Sequence, residues 1–127
     1  MNAEDLKTRT KQFALRIIRL AESLPKSSSG KVLSTQLIRA GTSVGSNYRS
    51  ACRAKSRADF VAKTGIVEEE CDESLYWMEL LIEAGLVKPQ SLANLREEGS
   101  EILAIVVSSI KTARIAKEPA SRVANQR

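Results

Sequence analysis

The sequence predicts an all-α fold, an antiparallel up-down-up-down four-helix bundle. Three observations predict it. Hydrophobic residues make up 43% of the chain and aromatics only 4%. The apolar content is therefore mostly Leu, Ile, Val and Ala, which suits helix packing better than a β-sandwich. Only three prolines and six glycines punctuate 127 residues, so long elements with few turns are expected. Four stretches repeat apolar residues three and four apart, the stripe of an amphipathic helix. The length fits one domain with a buried core of useful size.

The first helix is expected over residues 4–24, where Leu6, Phe13, Ile17, Leu20 and Leu24 form the stripe. Asn2 suits its N-cap, and Pro25 with the run 26–30 ends it. The second covers residues 31–54, with Leu33, Leu37, Ala40, Val44 and Ala51 on one face. Its middle is small: Ala40, Gly41, Ser43, Gly45 and Ser46. Two interior glycines cost roughly 1 kcal/mol each. Close approach of a neighbouring helix would offset that, and a ligand cleft is the alternative. The third spans residues 56–84. Ser56 with Asp59 resembles a capping box, Phe60, Thr64, Val67, Cys71, Met78 and Ile82 form its stripe, and Gly85 caps its end. The fourth starts near Pro89, carries Leu92, Leu95, Gly99, Ile102, Val106 and Ser109, and runs to about Lys117, with Pro119 as its stop. The bundle thus occupies residues 1–118, and 119–127 form a disordered tail. Short connections make successive helices antiparallel.

The formal charge of +5 is modest, but its distribution is uneven. Residues 23–58 hold seven bases and no acid, whereas 59–87 hold eight acids and one base, Lys63. Lateral ion pairs between the second and third helices are the simplest reading. An antiparallel register with its turn near Arg57 sets Arg53 about 10 Å along the axis from Glu68. That is about one Debye length, so Arg53, Lys55 and Arg57 pair poorly with the run 68–73. The same register gathers Lys7, Arg9, Lys11, Arg49, Arg53, Lys55, Arg57, Lys63, Lys111, Arg114 and Lys117 at one end, against Glu4, Asp5, Asp59 and Glu118. Arg49, Arg53 and Arg57, spaced i, i+4, i+8, would share a helical face and reach successive phosphates. No aromatic interleaves them, so binding would follow backbone and shape rather than base sequence.

Catalysis and metal chemistry lack their usual residues. Histidine is absent, which removes the commonest general base and metal ligand. No serine has a paired base in view, so the chain is not expected to be an enzyme and no cofactor is expected. Cys52 and Cys71 read as buried free thiols, and two cysteines without histidine cannot complete an ordinary zinc site. Glu69, Glu70 and Glu73 read as solvated or paired rather than as a metal cluster. The longest apolar run, residues 102–107, is far too short to span a bilayer. The charged start is no secretory signal, so no membrane association and a cytoplasmic location are expected.

The stretch "QLIRAGTSVGSNYRSACRAKSRADFVAKTGIVEEECDESLYWMELL" carries a recognisable combination: Arg39-Ala40, Ser43-Val44, Asn47-Tyr48, Ala51, Ala54, Ser56, Asp59-Phe60, Lys63, Glu69-Glu70, Glu73, Tyr76-Trp77 and Leu80. It resembles the four-helix-bundle proteins encoded in intervening sequences of bacterial 23S ribosomal RNA genes, also known as S23 ribosomal proteins. The accessory variability determinant proteins of diversity-generating retroelements resemble the same family. The likeness covers about residues 36–86; Ser50 departs from a frequent Glu. It implies a four-helix bundle and a ring-shaped homo-oligomer, a pentamer, in which the basic ends of the protomers gather.

Asn47, beside the core stripe, is expected to satisfy a polar contact between helices. Tyr76 and Trp77 point about 100° apart on a helix, so one should pack in the bundle and the other at a subunit interface. The expected function is non-sequence-specific binding of RNA or DNA by an oligomer. A protein–protein scaffold, or an accessory subunit for a nucleic-acid enzyme such as a reverse transcriptase, is the alternative.

Overall fold

The computed structural model describes residues 1–116, which form four helices and no strand: α1 (Ala3–Glu22), α2 (Ser28–Ala51), α3 (Arg57–Glu83) and α4 (Pro89–Ala116). Lys117 and the expected tail at 119–127 lie outside the described residues. Each connection is five residues long, too short for anything but a reversal between adjacent helices. α1 packs on α2, α2 on α3, α3 on α4, and α4 returns to α1. The backbones of the diagonal pairs α1/α3 and α2/α4 do not come within 8 Å of each other. The helices therefore stand at the corners of a square.

Local chemistry sets the ends. The Asn2 side chain accepts from the Asp5 N–H at 2.8 Å, while the Asp5 carboxylate accepts from the Asn2 N–H at 3.4 Å, a reciprocal capping box. Ser56 Oγ accepts from the Asp59 N–H at 3.0 Å. The Asp59 carboxylate reaches one residue further back than a capping box would, to the Lys55 N–H at 3.0 Å. α3 closes through Gly85, at φ +77°, with Leu86 N–H bonded to Leu81 O and Gly85 N–H to Ile82 O, both at 3.0 Å. That paired arrangement needs a left-handed residue, for which glycine has no Cβ penalty.

Two helix ends differ from expectation. α2 starts at Ser28 rather than 31, because Ser27 Oγ accepts from the Gly30 N–H at 3.1 Å and makes the serine run an N-terminus. It stops at Ala51 rather than 54. Arg53 N–H and Ala54 N–H bond the carbonyls three residues back, at Ser50 and Ala51, which tightens the last turn and ends the helix. Arg49, Arg53 and Arg57 thus do not share a helical face: Arg49 is on α2, Arg53 in the turn, and Arg57 opens α3.

The core joins Phe13 and Ile17 of α1, Leu37 and Val44 of α2, Val67, Cys71 and Met78 of α3, and Ile102 and Val106 of α4, all fully buried. The α3 stripe passes from Met78 to Leu81 instead of Ile82, which is partly buried. Phe60 is also only partly buried. The Cys71 thiol is pushed up to about 12 by burial, and its Sγ donates to Gly99 O at 3.3 Å. Cys52, by contrast, is half-buried rather than enclosed.

The small middle of α2 faces α1. A Cβ at Gly41 would overlap the Ile17 side chain, and one at Gly45 would lie 3.1 Å from Thr10 Oγ1. The two glycines let the helices approach, and α1 fills the space a ligand cleft would need.

Candidate nucleic-acid interface

The ion pairs separate the basic residues into two groups. Arg9 forms a fork on Glu98, with Nε donating to Oε2 at 2.7 Å and Nη2 to Oε1 at 2.8 Å. Nη2 also reaches Glu101 Oε1 at 2.5 Å. The bond to Arg9 holds the Glu98 carboxyl below its usual range, and the same bond raises the guanidinium further. Arg9 therefore ties α1 to α4 and is committed as a structural clamp rather than left for phosphate. Arg39 bonds Glu70 Oε1 at 3.2 Å and Glu73, so among the described residues the expected α2–α3 neutralisation is carried by Arg39. Lys7 pairs with Glu4 at 3.1 Å and Lys63 with Asp59 at 3.1 Å, each within its own helix. Asp59 is held below the usual carboxylate range first by the Lys55 N–H and then by Lys63.

Among the described residues, no carboxylate pairs with Lys11, Arg49, Arg53 or Lys55. All four are exposed. They converge on two adjoining concavities. One, of about 460 Å³, is lined by Glu4, Lys7, Thr8 and Lys11 of α1 and Arg49 of α2. The other, of about 500 Å³, is lined by Arg49, Ser50, Arg53, Lys55 and Lys63. Arg49 is common to both. Six of the expected basic residues are thus gathered along the α1–α2 face and its turn into α3.

The rest fall elsewhere. Lys111 and Arg114 are exposed on α4, which stands diagonally across the square from α2. Arg57, at the first position of α3, lines neither concavity. Between α4 and the start of α3 lies a more apolar groove of about 650 Å³, with Phe60, Ile105 and Met1 among its walls. Lys111 and Arg114 therefore do not join the concavities of the α1–α2 face.

Beneath Arg49, Tyr48 is buried, and burial with a hydrogen bond to Cys52 raises its hydroxyl pKa. This end of α2 is therefore anchored in the core while its outer side carries cations. Thr8 and Ser50 also line the concavities; a lone threonine or serine carries no charge pattern by which the sequence could mark it as part of the face. Asn47 Nδ2 donates to Ser43 O at 2.8 Å, a bond within α2 rather than the expected one between helices. Trp77 is half-buried against the core and donates through Nε1 to Glu73 at 3.2 Å; Tyr76 is 50% exposed. Their rings meet edge to face, with centroids 5.1 Å apart. Among the described residues, no group of three or more Cys, Asp or Glu is arranged to hold a metal ion, and no helix is long and apolar enough to cross a membrane.

Comparisons with known proteins place this geometry. Among curated proteins none matches the chain. A crystal structure of a protein with unknown function from the S23 ribosomal protein family of Bacteroides thetaiotaomicron VPI-5482 is similar, at 36% sequence identity and a TM-score of 0.81. The likeness covers 87% of this chain and 99% of that one. The sequence model of the 23S rRNA-intervening sequence proteins matches residues 4–108. Both the sequence match and the fold span all four helices, and the chain belongs to the 23S rRNA-intervening sequence protein family.

Proposed function

We propose that this protein is an oligomeric, non-catalytic binder of RNA or DNA that grips the phosphate backbone along its α1–α2 face. The observation that carries the reading is Arg49, shared by two adjoining concavities that gather Lys7, Lys11, Arg53, Lys55 and Lys63. Four of these, Lys11, Arg49, Arg53 and Lys55, are exposed and without carboxylate partners among the described residues, so their charge is free for a polyanion, and release of condensed counterions supplies affinity without reading bases. No aromatic lines either concavity, so contacts by base stacking do not contribute there. A ring-shaped homopentamer, which the family likeness implies, would set several such faces side by side and strengthen the field. A cytoplasmic location and kinship with the retroelement accessory proteins belong to the same reading.

The test is a mobility-shift titration with structured RNA and duplex DNA at several salt concentrations. The native protein is run beside an Arg49→Glu, Arg53→Glu variant. Native binding should weaken steeply with salt, with a log–log slope of about −0.9 per phosphate contact on duplex DNA. The variant should bind roughly 100-fold more weakly, as expected if two phosphate contacts are replaced by repulsion. Absence of native binding at low salt, or equal binding by both proteins, overturns the reading and leaves a protein–protein scaffold as the function to pursue.

A further inference from the structure

The outward faces of α1 and α3 are complementary to each other, yet they cannot meet within one chain. On α3, Glu69, Asp72, Tyr76, Glu79 and Glu83 fall three, four, three and four apart, so they form one stripe, and all five are exposed. Tyr76 sits at its centre, 50% exposed. Among the described residues none of these four carboxylates has an ion-pair partner; the paired acids of α3 are Asp59, Glu70 and Glu73. A row of unpaired like charges repels itself, which a cationic neighbour would relieve.

On α1, Lys11, Leu15 and Arg19 fall four and four apart, all exposed and without a carboxylate partner among the described residues. Leu15 is 38% exposed at the centre of that outward face. Each helix therefore offers an apolar side chain flanked along its axis by charge, and the signs are opposite. The spacing also agrees: Lys11 to Arg19 spans about 12 Å and Asp72 to Glu79 about 10 Å. Beside Tyr76 a cavity of about 350 Å³ opens between α3 and α4, lined by Asp72, Leu75, Tyr76, Glu79, Arg96 and Ser100. The one cation in its wall, Arg96, comes from α4.

α1 and α3 occupy opposite corners of the square, and their backbones do not come within 8 Å of each other. Their outward faces point away from each other. Two different patches on opposite sides of one chain give a head-to-tail contact, which propagates from copy to copy and ends only if the rotation closes a ring. We propose that the α3 stripe of one copy docks on the α1 face of the next, with Leu15 against Tyr76 and the lysine and arginine against the carboxylates. This rests on the oligomeric part of the function proposed above; Lys11 is shared with the proposed nucleic-acid face, whereas Arg49 and Arg53 lie outside the contact.

The experiment reads the mass of the full chain in solution by light scattering. Two variants each reverse one face: Lys11→Glu with Arg19→Glu, and Asp72→Lys with Glu79→Lys. Each alone should fall to monomer mass while keeping its helical circular dichroism. Mixed together they should reassemble, because the acidic α1 of one then meets the basic α3 of the other. A native protein that is monomeric, an oligomer that survives either reversal, or variants that stay monomeric when mixed would overturn the assignment. The Arg49→Glu, Arg53→Glu variant should keep native mass. Loss of nucleic-acid binding in that variant at unchanged mass separates the failure of one reading from the failure of the other.

Discussion

Helix α1 is held on its two sides by different physics. Toward α2 its side chains pack directly on glycine backbone: Gly41 receives Ile17, and Gly45 lies against Thr10. Toward α4 the contact is the thinnest of the four in the bundle. Its features are Gly99 against the Phe13 ring and the fork from Arg9 to Glu98 and Glu101. One seam is close-packed and tolerates no added atoms; the other is held partly by charge and responds to pH. The difference bears on the proposed function, because Lys7, Lys11 and Arg49 straddle the close seam. The spacing of the cations across α1 and α2 is set by the approach of two backbones, so the face is pre-organised.

The largest effect should come from filling the close seam. Gly41→Leu would drive a side chain into Ile17, whose Cγ2 and Cβ already lie 3.0 and 3.3 Å from the position of an added Cβ. Overpacking of this kind costs about 1–3 kcal/mol or more, against a gain in helix propensity of under about 1 kcal/mol. A net loss of roughly 2 kcal/mol, read by urea denaturation, is expected. Nucleic-acid affinity should fall with it, since separating α1 from α2 moves Lys7 and Lys11 away from Arg49. An unchanged midpoint would mean that the two helices are not packed through this glycine.

The α1–α4 seam should answer to acid. Arg9 holds Glu98 below its ordinary pKa of 4.5. A carboxyl depressed in the folded state stabilises fully above its unfolded pKa, and that stabilisation is lost as pH falls through the folded value. Arg9→Met should therefore cost about 1–1.5 kcal/mol near neutral pH, where both side chains of the fork are about three-quarters shielded or more. The gap between native and variant should narrow below about pH 4.5 as Glu98 protonates in both. A gap that stays constant from pH 7 to pH 3 would assign the loss to packing of the arginine stem rather than to charge.

Most of the fold was legible because helices announce themselves by period and by caps. Asn2, Ser56 and Gly85 mark three ends by chemistry that acts over three or four residues. The end of α2 was misread for the same reason in reverse: nothing between Ala51 and Ser56 breaks a helix by residue type, and the stop comes from turn hydrogen bonds. The site was half legible. Antiparallel counting gives the level of each residue along the axis, so Lys7, Lys11, Arg49, Arg53, Lys55 and Lys63 were grouped as the structure groups them. It gives no angle around the bundle. Lys111 and Arg114 share the level but stand across the diagonal. Arg9, on the same helix as Lys7, turns toward Glu98 because two residues advance a helix by about 200°.

The smallest effect, and the sharpest control on the comparison, lies at a glycine that touches neither seam. Gly65 is interior to α3, and a Cβ there would meet nothing within 4 Å. Its φ is not in the left-handed region that favours glycine, which among these glycines belongs to Gly85. Gly65→Ala should therefore stabilise the protein by about 0.5–1 kcal/mol, through lower backbone entropy in the unfolded chain and better helix propensity. The same residue type thus gives opposite signs at Gly41 and Gly65, decided by whether another helix occupies the space. A Gly65→Ala variant that melts below the native protein would mean that something approaches the open side of α3 at this level. Repeating the melt over a dilution series would tell whether a second copy is what approaches.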